Sequence, residues 1–291
     1  MRYSYYPGCS SEATAKANAH SIEAVAKALD LQLEEIPDWN CCGATMASGV
    51  VGDFTQLVLT ARNLAIAEAK GQDVVTGCSS CYLTLAVANK KFKEDAHFRA
   101  LANEALAADG LQYGGTLRVR QFLDVIINDV GLDKVARQVK NSLKGLTVAG
   151  YVGCQTVRAL PYEFDDPEQP VFMDRLIESL GATAADFPMR ARCCGSSSTI
   201  PARDIVLDLG YKIFQSATAG GARVIITPCP MCQLNLDAYQ SLVNRKYGTN
   251  FNIPVLFFTQ LMATAFGLSS EARAFKYNIV SPLETMAQFA G

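Results

Sequence analysis

Apolar positions along the chain alternate between two periods. Arg2 to Tyr6 is a short extended run ending at Pro7-Gly8-Cys9, and it predicts a strand. From Ala13 to Leu29, Ile22, Val25, Ala26 and Leu29 fall on one stripe, so an amphipathic helix is expected. Leu31 to Ile36 alternates apolar and polar, a half-buried strand that Pro37 ends. Phe54 to Lys70 returns to helical spacing, with Gly71 as its stop. Asp73-Val74-Val75-Thr76 reads as a buried strand, and a helix follows from Cys81 to about Lys91. Leu117-Arg118-Val119 and a helix from Gln121 close this series.

The same order then begins again. Leu146 to Val152 is a strand and Val171 to Leu180 a helix, followed by a short extended stretch near Phe187. Ile205 to Ala219 is a helix closed by Gly220-Gly221, and Val224 to Thr227 is a strand. Ile253-Pro254-Val255 and a helix from Thr259 repeat the ending of the first series. Strands alternating with helices predict an α/β fold with parallel sheets. The repetition predicts two duplicated Rossmann-like domains related by a pseudo-twofold, residues 1–142 and 143–291. Their boundary is expected in the polar stretch Val139 to Lys144.

Composition narrows the class. Of 291 residues, 49% are hydrophobic and 19% charged, which suits two packed cores and excludes a disordered chain. The net charge of −2 and the lack of a Lys/Arg block argue against a nucleic-acid surface. Met1 to Tyr6 lacks the apolar stretch of a secretory signal, so a cytoplasmic protein is expected. Ile253 to Leu268, the longest apolar stretch, carries Thr259, Gln260 and Thr264 and is too short for a membrane span. Its place in the repeat makes it core rather than a membrane-docking face.

Ten cysteines carry the chemistry. The first set is Cys9, Cys41-Cys42-Gly43 and Cys78-x-x-Cys81; the second is Cys154, Cys193-Cys194-Gly195 and Cys229-x-x-Cys232. The intervals are C-x31-CC-x35-C-x2-C and C-x38-CC-x34-C-x2-C, and no cysteine lies outside them. Flanking residues repeat too: Tyr6-Pro7-Gly8-Cys9 answers Tyr151-Val152-Gly153-Cys154. In a reducing compartment such cysteines are metal ligands sooner than disulfides, and an odd number per half cannot pair internally. All of them fall where predicted strands end or turn into helices. There helix N-termini stabilise thiolates, and Gly43 and Gly195 permit a positive φ or close backbone approach.

Five thiols exceed the four ligands of structural zinc, and each half has one C-x-x-C rather than two. The two histidines, His20 and His97, lie on a helix and in a polar segment, outside any ligand pattern. Several irons bridged by sulfide suit the set better. The run C-x2-C-x2-C-x3-C-P of cubane ferredoxins is absent.

The doubled pattern resembles the cysteine-rich CCG domain, and two copies in a chain of this size are similar to the B component of heterodisulfide reductase. The resemblance covers essentially the whole chain. It implies two noncubane 4Fe-4S clusters, one held by Cys9, Cys41, Cys42, Cys78 and Cys81, the other by Cys154, Cys193, Cys194, Cys229 and Cys232. It also implies a disulfide or thiol substrate, small or protein-bound, lying in a cavity between the clusters. Electrons would come from two partners, a cubane iron–sulfur subunit with a flavin-containing subunit behind it, because this chain has no flavin or nucleotide motif. An Ala-rich, Lys-poor composition leans toward the heterodisulfide-reductase-like complex of sulfur oxidisers. Arg158, Arg190 and Arg192 flank second-half cysteines, placed to balance cluster charge, to hold an anionic substrate tail, or simply as surface residues. No catalytic acid can be named.

Two other readings stand beside this one. CCG domains also occur in electron-transfer or anchoring subunits of succinate or glycolate/lactate-type dehydrogenase complexes, and a non-redox metal scaffold would use the same thiols. An open cavity between the sites favours thiol chemistry, and a filled one favours the others.

Overall fold

The computed structural model describes residues 1–44, 51–158, 160 and 165–289. Among these, eight strands form two four-stranded sheets, all parallel. β1 (Arg2–Tyr6), β2 (Gln32–Glu35), β3 (Val74–Thr76) and β4 (Val119–Gln121) pair in the order β2-β1-β3-β4. β5 (Thr147–Gly150), β6 (Thr183–Ala184), β7 (Val224–Thr227) and β8 (Val255–Phe257) pair in the order β6-β5-β7-β8. The orders are the same, so the duplication read from sequence is a duplication of topology. The central strands β3 and β7 are buried along their whole length. This is why they read as unbroken Val/Ile/Thr runs rather than alternating ones.

The helices sit close to their expected places. The first is split into Cys9–Glu12 and Lys16–Ala28, and the later ones run Asp53–Glu68, Phe172–Ser179 and Arg203–Ala219. The helix after β3 begins at Ser79 rather than Cys81 and runs to Glu94. A helix over Ala96–Leu106 lies in a segment with no expected element; Asp95 caps it, accepting from Phe98 N at 2.8 Å. Gln121 ends β4 instead of starting a helix, and its side chain caps Phe122–Asp124, which continues into a π-helical turn, Val125–Val130.

The halves exchange helices. Phe258–Ala265 of the second packs on Lys16–Ala28 of the first, and Leu132–Arg137 of the first packs on Phe172–Ser179 of the second. Ser21 Oγ and Thr259 Oγ1 meet there at 2.6 Å, fully buried. One apolar cluster therefore contains Ile22, Val25 and Phe122 together with Met173, Phe258 and Leu261. Each sheet keeps its own core on the opposite face, around Leu64 and Phe92 in one half and Phe214 and Leu236 in the other. Lys140 and Asn141, in the expected boundary stretch, both donate backbone N–H groups to Ala265 O, at 2.8 and 2.9 Å. The whole run from Ile253 to Phe266 is buried, so its apolar character belongs to this shared core. Among the described residues, no helix is long and apolar enough to cross a membrane.

Two adjacent glycines test how tightly the second half is closed. A Cβ at Gly220 would stand 2.3 Å from the backbone oxygen of Asp186, whereas Gly221, at φ 72°, has nothing within 4 Å. Gly220→Ala should cost about 3 kcal/mol through overpacking. Gly221→Ala should cost about 1 kcal/mol for its left-handed backbone. Urea denaturation of the two variants measures the difference, and equal losses would disprove the close contact.

Candidate metal centres

Parallel strands direct the cysteines to one place. All strands of a sheet end on the same edge, so the loops leaving β1 and β3, or β5 and β7, converge there. Cys9 begins its short helix just after β1, and Cys154 begins Cys154–Val157 just after β5. The turns between pass through Gly8 at φ 76° and Gly153 at φ 75°. A Cβ on Gly8 would lie 2.9 Å from Cys81 Sγ, and one on Gly153 3.4 Å from Cys232 Sγ. Glycine thus lets each strand end press against a thiol. The vicinal pairs lie in irregular backbone, as expected. Gly43 (φ 77°) and Gly195 (φ 81°) follow them in the left-handed region. Each donates its N–H to a sulfur, Gly43 to Cys41 at 3.4 Å and Gly195 to Cys193 at 3.3 Å. Cys78 and Cys229 occupy the N-cap positions of Ser79–Glu94 and Pro230–Tyr247.

The sulfurs form a chain. Cys42 and Cys81 are 3.5 Å apart, and Cys194 and Cys232 are 3.4 Å apart. Cys41 and Cys42, Cys78 and Cys81, and Cys229 and Cys232 shift each other's acidity. Cys78 and Cys229 do the same across the seam between the halves. Seven sulfurs, from Cys41 to Cys194, are thus electrostatically linked in series. Cys154 pairs with Cys193 beside it. Cys9 is exposed at the open side, near enough for its charge to act on Cys41. In each half the buried vicinal sulfur lies against the second cysteine of the C-x-x-C, Cys42 against Cys81 and Cys194 against Cys232.

Their acidities show what such a chain needs. Cys42 is pulled down to about 3, because the Cys41 and Cys81 thiols donate to it. Cys193 falls to about 6 through Cys154, helped by the Gly195 N–H and the charge of Arg158. Cys229 is lowered by Cys232 and Cys78, and Cys194 by Cys232. Their partners move the other way: Cys41, Cys78, Cys81, Cys154 and Cys232 are all raised, first by the neighbouring sulfur and then by burial. A thiolate forces its neighbour to stay protonated, because two negative charges in contact repel strongly away from water. Five thiolates per half would repel one another strongly unless cations lay among them. Soft, multiple cations fit this donor set, and iron with sulfide supplies them. Among the described residues, no three His, Cys, Asp or Glu side chains converge on a point suited to a single ion. One sulfur pair in each half is instead in direct contact, Cys42 with Cys81 and Cys194 with Cys232.

Several supporting residues escaped the sequence reading. Tyr6 and Tyr151 are fully buried, and their hydroxyls donate to Asn40 O at 2.8 Å and Arg192 O at 2.5 Å. Each fixes the loop bearing a vicinal pair. The signal was available, since both tyrosines precede their first cysteine by three residues. The seam is polar: Thr156 Oγ1 donates to Ser79 Oγ at 2.7 Å, Ser80 Oγ to Gln155 Oε1 at 2.5 Å, and Gln121 Nε2 to Pro228 O at 3.3 Å. Nothing in the sequence marks these pairs, because each joins residues of different halves. Ser79, Cys154, Cys193, Ser197, Cys229 and Cys232 line a cavity of about 30 Å³ at this seam.

The three arginines separate. Arg158 acts on Cys193 while paired with Glu168 at 3.5 Å. Arg190 is spent on Asp174 and on Pro170 O, and Arg192 is exposed. His20 stacks on Tyr277 at 5.7 Å and His97 is exposed, so neither belongs to the thiol chain.

Separate removal of the buried vicinal sulfurs tests the two-set arrangement. Cys42→Ala should lose the metal of the first half and keep that of the second, and Cys194→Ala the reverse, each retaining roughly half the iron. Iron analysis and visible spectra of anaerobic protein check this. Loss of all metal from either variant would show one indivisible site.

A family model described as a cysteine-rich domain, CCG, matches residues 3–86 and again 148–237. The chain is 32% identical to the 8-methylmenaquinol:fumarate reductase membrane anchor subunit of Wolinella succinogenes, over 96% of both chains. It is 30% identical to the B component of the ferredoxin:CoB-CoM heterodisulfide reductase of Methanosarcina mazei, over 89% of this chain and 87% of that one. It is 31% identical to a protein of Archaeoglobus profundus described as similar to the heterodisulfide reductase B component, over 93% of this chain and 92% of that one. A crystal structure of a hypothetical protein from Helicobacter pylori shares the fold with a TM-score of 0.76 at 14% identity, covering 96% of this chain and 52% of that one.

Proposed function

The chain belongs to the family of duplicated CCG cysteine-rich proteins, iron–sulfur electron-transfer subunits of multi-subunit oxidoreductases, and from that premise we propose that it makes or breaks a disulfide between two metal centres. Cys9, Cys41, Cys42, Cys78 and Cys81 would hold one noncubane 4Fe-4S cluster, and Cys154, Cys193, Cys194, Cys229 and Cys232 the other. When bound, such clusters supply one electron each and a soft position for a sulfur atom. The observation that carries this reading is the meeting of the two thiol sets at one seam, where Ser79 and Ser80 of the first half bond to Thr156 and Gln155 of the second, and where Ser79 lines a common cleft with Cys154, Cys193, Cys229 and Cys232. A bond cleaved by one-electron donors leaves a costly sulfur radical unless both sulfurs are reduced together, so two sites facing one seam suit it. Ser79, Ser80, Gln155 and Thr156 surround that seam with hydroxyl and amide groups able to bond to thiolates. Arg158 adds a positive charge near Cys193. The reducing electrons would arrive through a cubane iron–sulfur subunit fed by a flavin-containing one, since this chain carries neither motif.

A second reading has its own support. The similarity to a fumarate reductase membrane anchor subunit, and a seam cavity of only about 30 Å³, favour a relay in which electrons cross the chain without cleaving a substrate. In that case, Cys78 and Cys229 mark the shortest path between the halves.

Iron and acid-labile sulfide analysis of anaerobic protein, with EPR after oxidation in the presence of small thiols, separates the two. About eight irons and a thiol-dependent paramagnetic signal are expected for disulfide chemistry on two clusters. The same iron without a thiol response selects the relay. Zinc in place of iron refutes both.

A further inference from the structure

The open sides of the two thiol sets carry different charge. With Cys9 set against Cys154 and Cys41 against Cys193, Ala13, Asp38 and Asn40 stand opposite Arg158, Arg190 and Arg192. Arg62, which reaches the first vicinal pair at Asn40 Oδ1 (3.3 Å), is held by Asp38 and Asp109. Beside Cys9, exposed Glu12 and Lys16 offset each other. Around the second pair, Arg158 meets Glu168 and Arg190 meets Asp174. Arg192 and Arg203 are exposed, and among the described residues they form no ion pair.

The second side also presents bare apolar surface. Ser196 and Ser197 line the seam cleft with Cys193, and just beyond them Ile200 is 97% exposed. The helix Arg203–Ala219 follows, packed so closely on the thiol loop that a Cβ at Gly195 would lie 3.2 Å from Val206 Cγ2. Ile205, on its first turn, is 57% exposed. With Cys78 set against Cys229, its counterpart is Phe54, against which the Phe98 ring packs edge-on at 5.8 Å. Phe98 belongs to the helix Ala96–Leu106, and the second half runs from Pro230–Tyr247 to β8 without one. A corner partly covered in the first half is therefore open in the second. An apolar centre with arginines around it has the composition of a protein interface. Small molecules bind in concave sites, and Ile200 stands outward into solvent.

We propose that this corner, Ile200 and Ile205 with Arg192 and Arg203, docks the acidic iron–sulfur protein that feeds the chain, so that electrons enter at the second centre. The inference rests on the iron–sulfur reading above. Cys193 is exposed beside the corner, so a cluster held there is the one a docked donor approaches most closely. Each transfer moves one electron, oxidising the donor's cluster and reducing this one, and no bond or proton moves with it. The arginines steer a negatively charged donor, and the isoleucines hold it once water is expelled.

The test uses metal-loaded protein with a small acidic ferredoxin as probe, measuring its affinity by calorimetry and its electron delivery by stopped flow. Arg192→Gln combined with Arg203→Gln should weaken binding about tenfold at low salt and little at high salt. Ile200→Ser should weaken it about fivefold at both, and it serves if the double variant does not fold. Lys27→Gln, in the other half, should bind as the wild type does. Reduced ferredoxin should reduce Cys42→Ala, which keeps the second centre, at least tenfold faster than Cys194→Ala, which keeps the first. No binding of the ferredoxin, undiminished binding by both corner variants, or equal reduction of the two cysteine variants would overturn the proposal. Failure of the wild type to bind iron would instead overturn the iron–sulfur reading.

Discussion

Repulsion between sulfurs packed in contact is the constraint on which the rest of the structure depends. Ten thiols lie in loops at one edge of two sheets, and seven of them are linked electrostatically through Cys78 and Cys229. Left to themselves they settle by alternation, one thiolate holding its neighbours protonated. The protein supplies little positive charge to relieve them. Arg158 reaches Cys193, but Arg190 is committed to Asp174. What the fold does supply is dipoles: the N–H groups of Gly43 and Gly195, and the N-termini of the helices capped by Cys78 and Cys229. Such a donor set suits bound cations better than free thiols.

Keeping ten sulfurs in place requires a rigid surround, and the exchanged helices provide it. Each half lends its last helices to the other, so Ile22 and Val25 share a core with Phe258 and Leu261. The seam bearing Cys78 and Cys229 is therefore held from both sides and cannot open without disturbing that core. Hydroxyl pairs such as Thr156 with Ser79 fix its register. A rigid surround suits electron transfer, because little has to reorganise when charge changes.

Near-symmetry gives the two centres similar surroundings, and the departures from it separate them. Tyr6 and Tyr151 perform the same task in both halves, as do Gly8 and Gly153. Arg158, whose charge acts on Cys193, stands where the first half has Ala13.

Much of this was legible in the residue order. The spacing of cysteines, the Val/Ile strands and the glycines beside the sulfurs gave the α/β repeat, the family resemblance and both thiol sets, because each rests on local geometry. The helix at Ala96–Leu106 was missed because its apolar face, Phe98, Ala102 and Leu106, is sparse within a polar segment. Gln121 was misplaced because capping of the next helix decides its role, and propensity does not. Tertiary structure alone decided that the halves share a core, that Cys78 acts on Cys229 across the seam, and that the Phe172–Ser179 helix closes over Gly150. Most of those facts join residues far apart in the chain, and a one-dimensional period carries no information about which distant faces pack together.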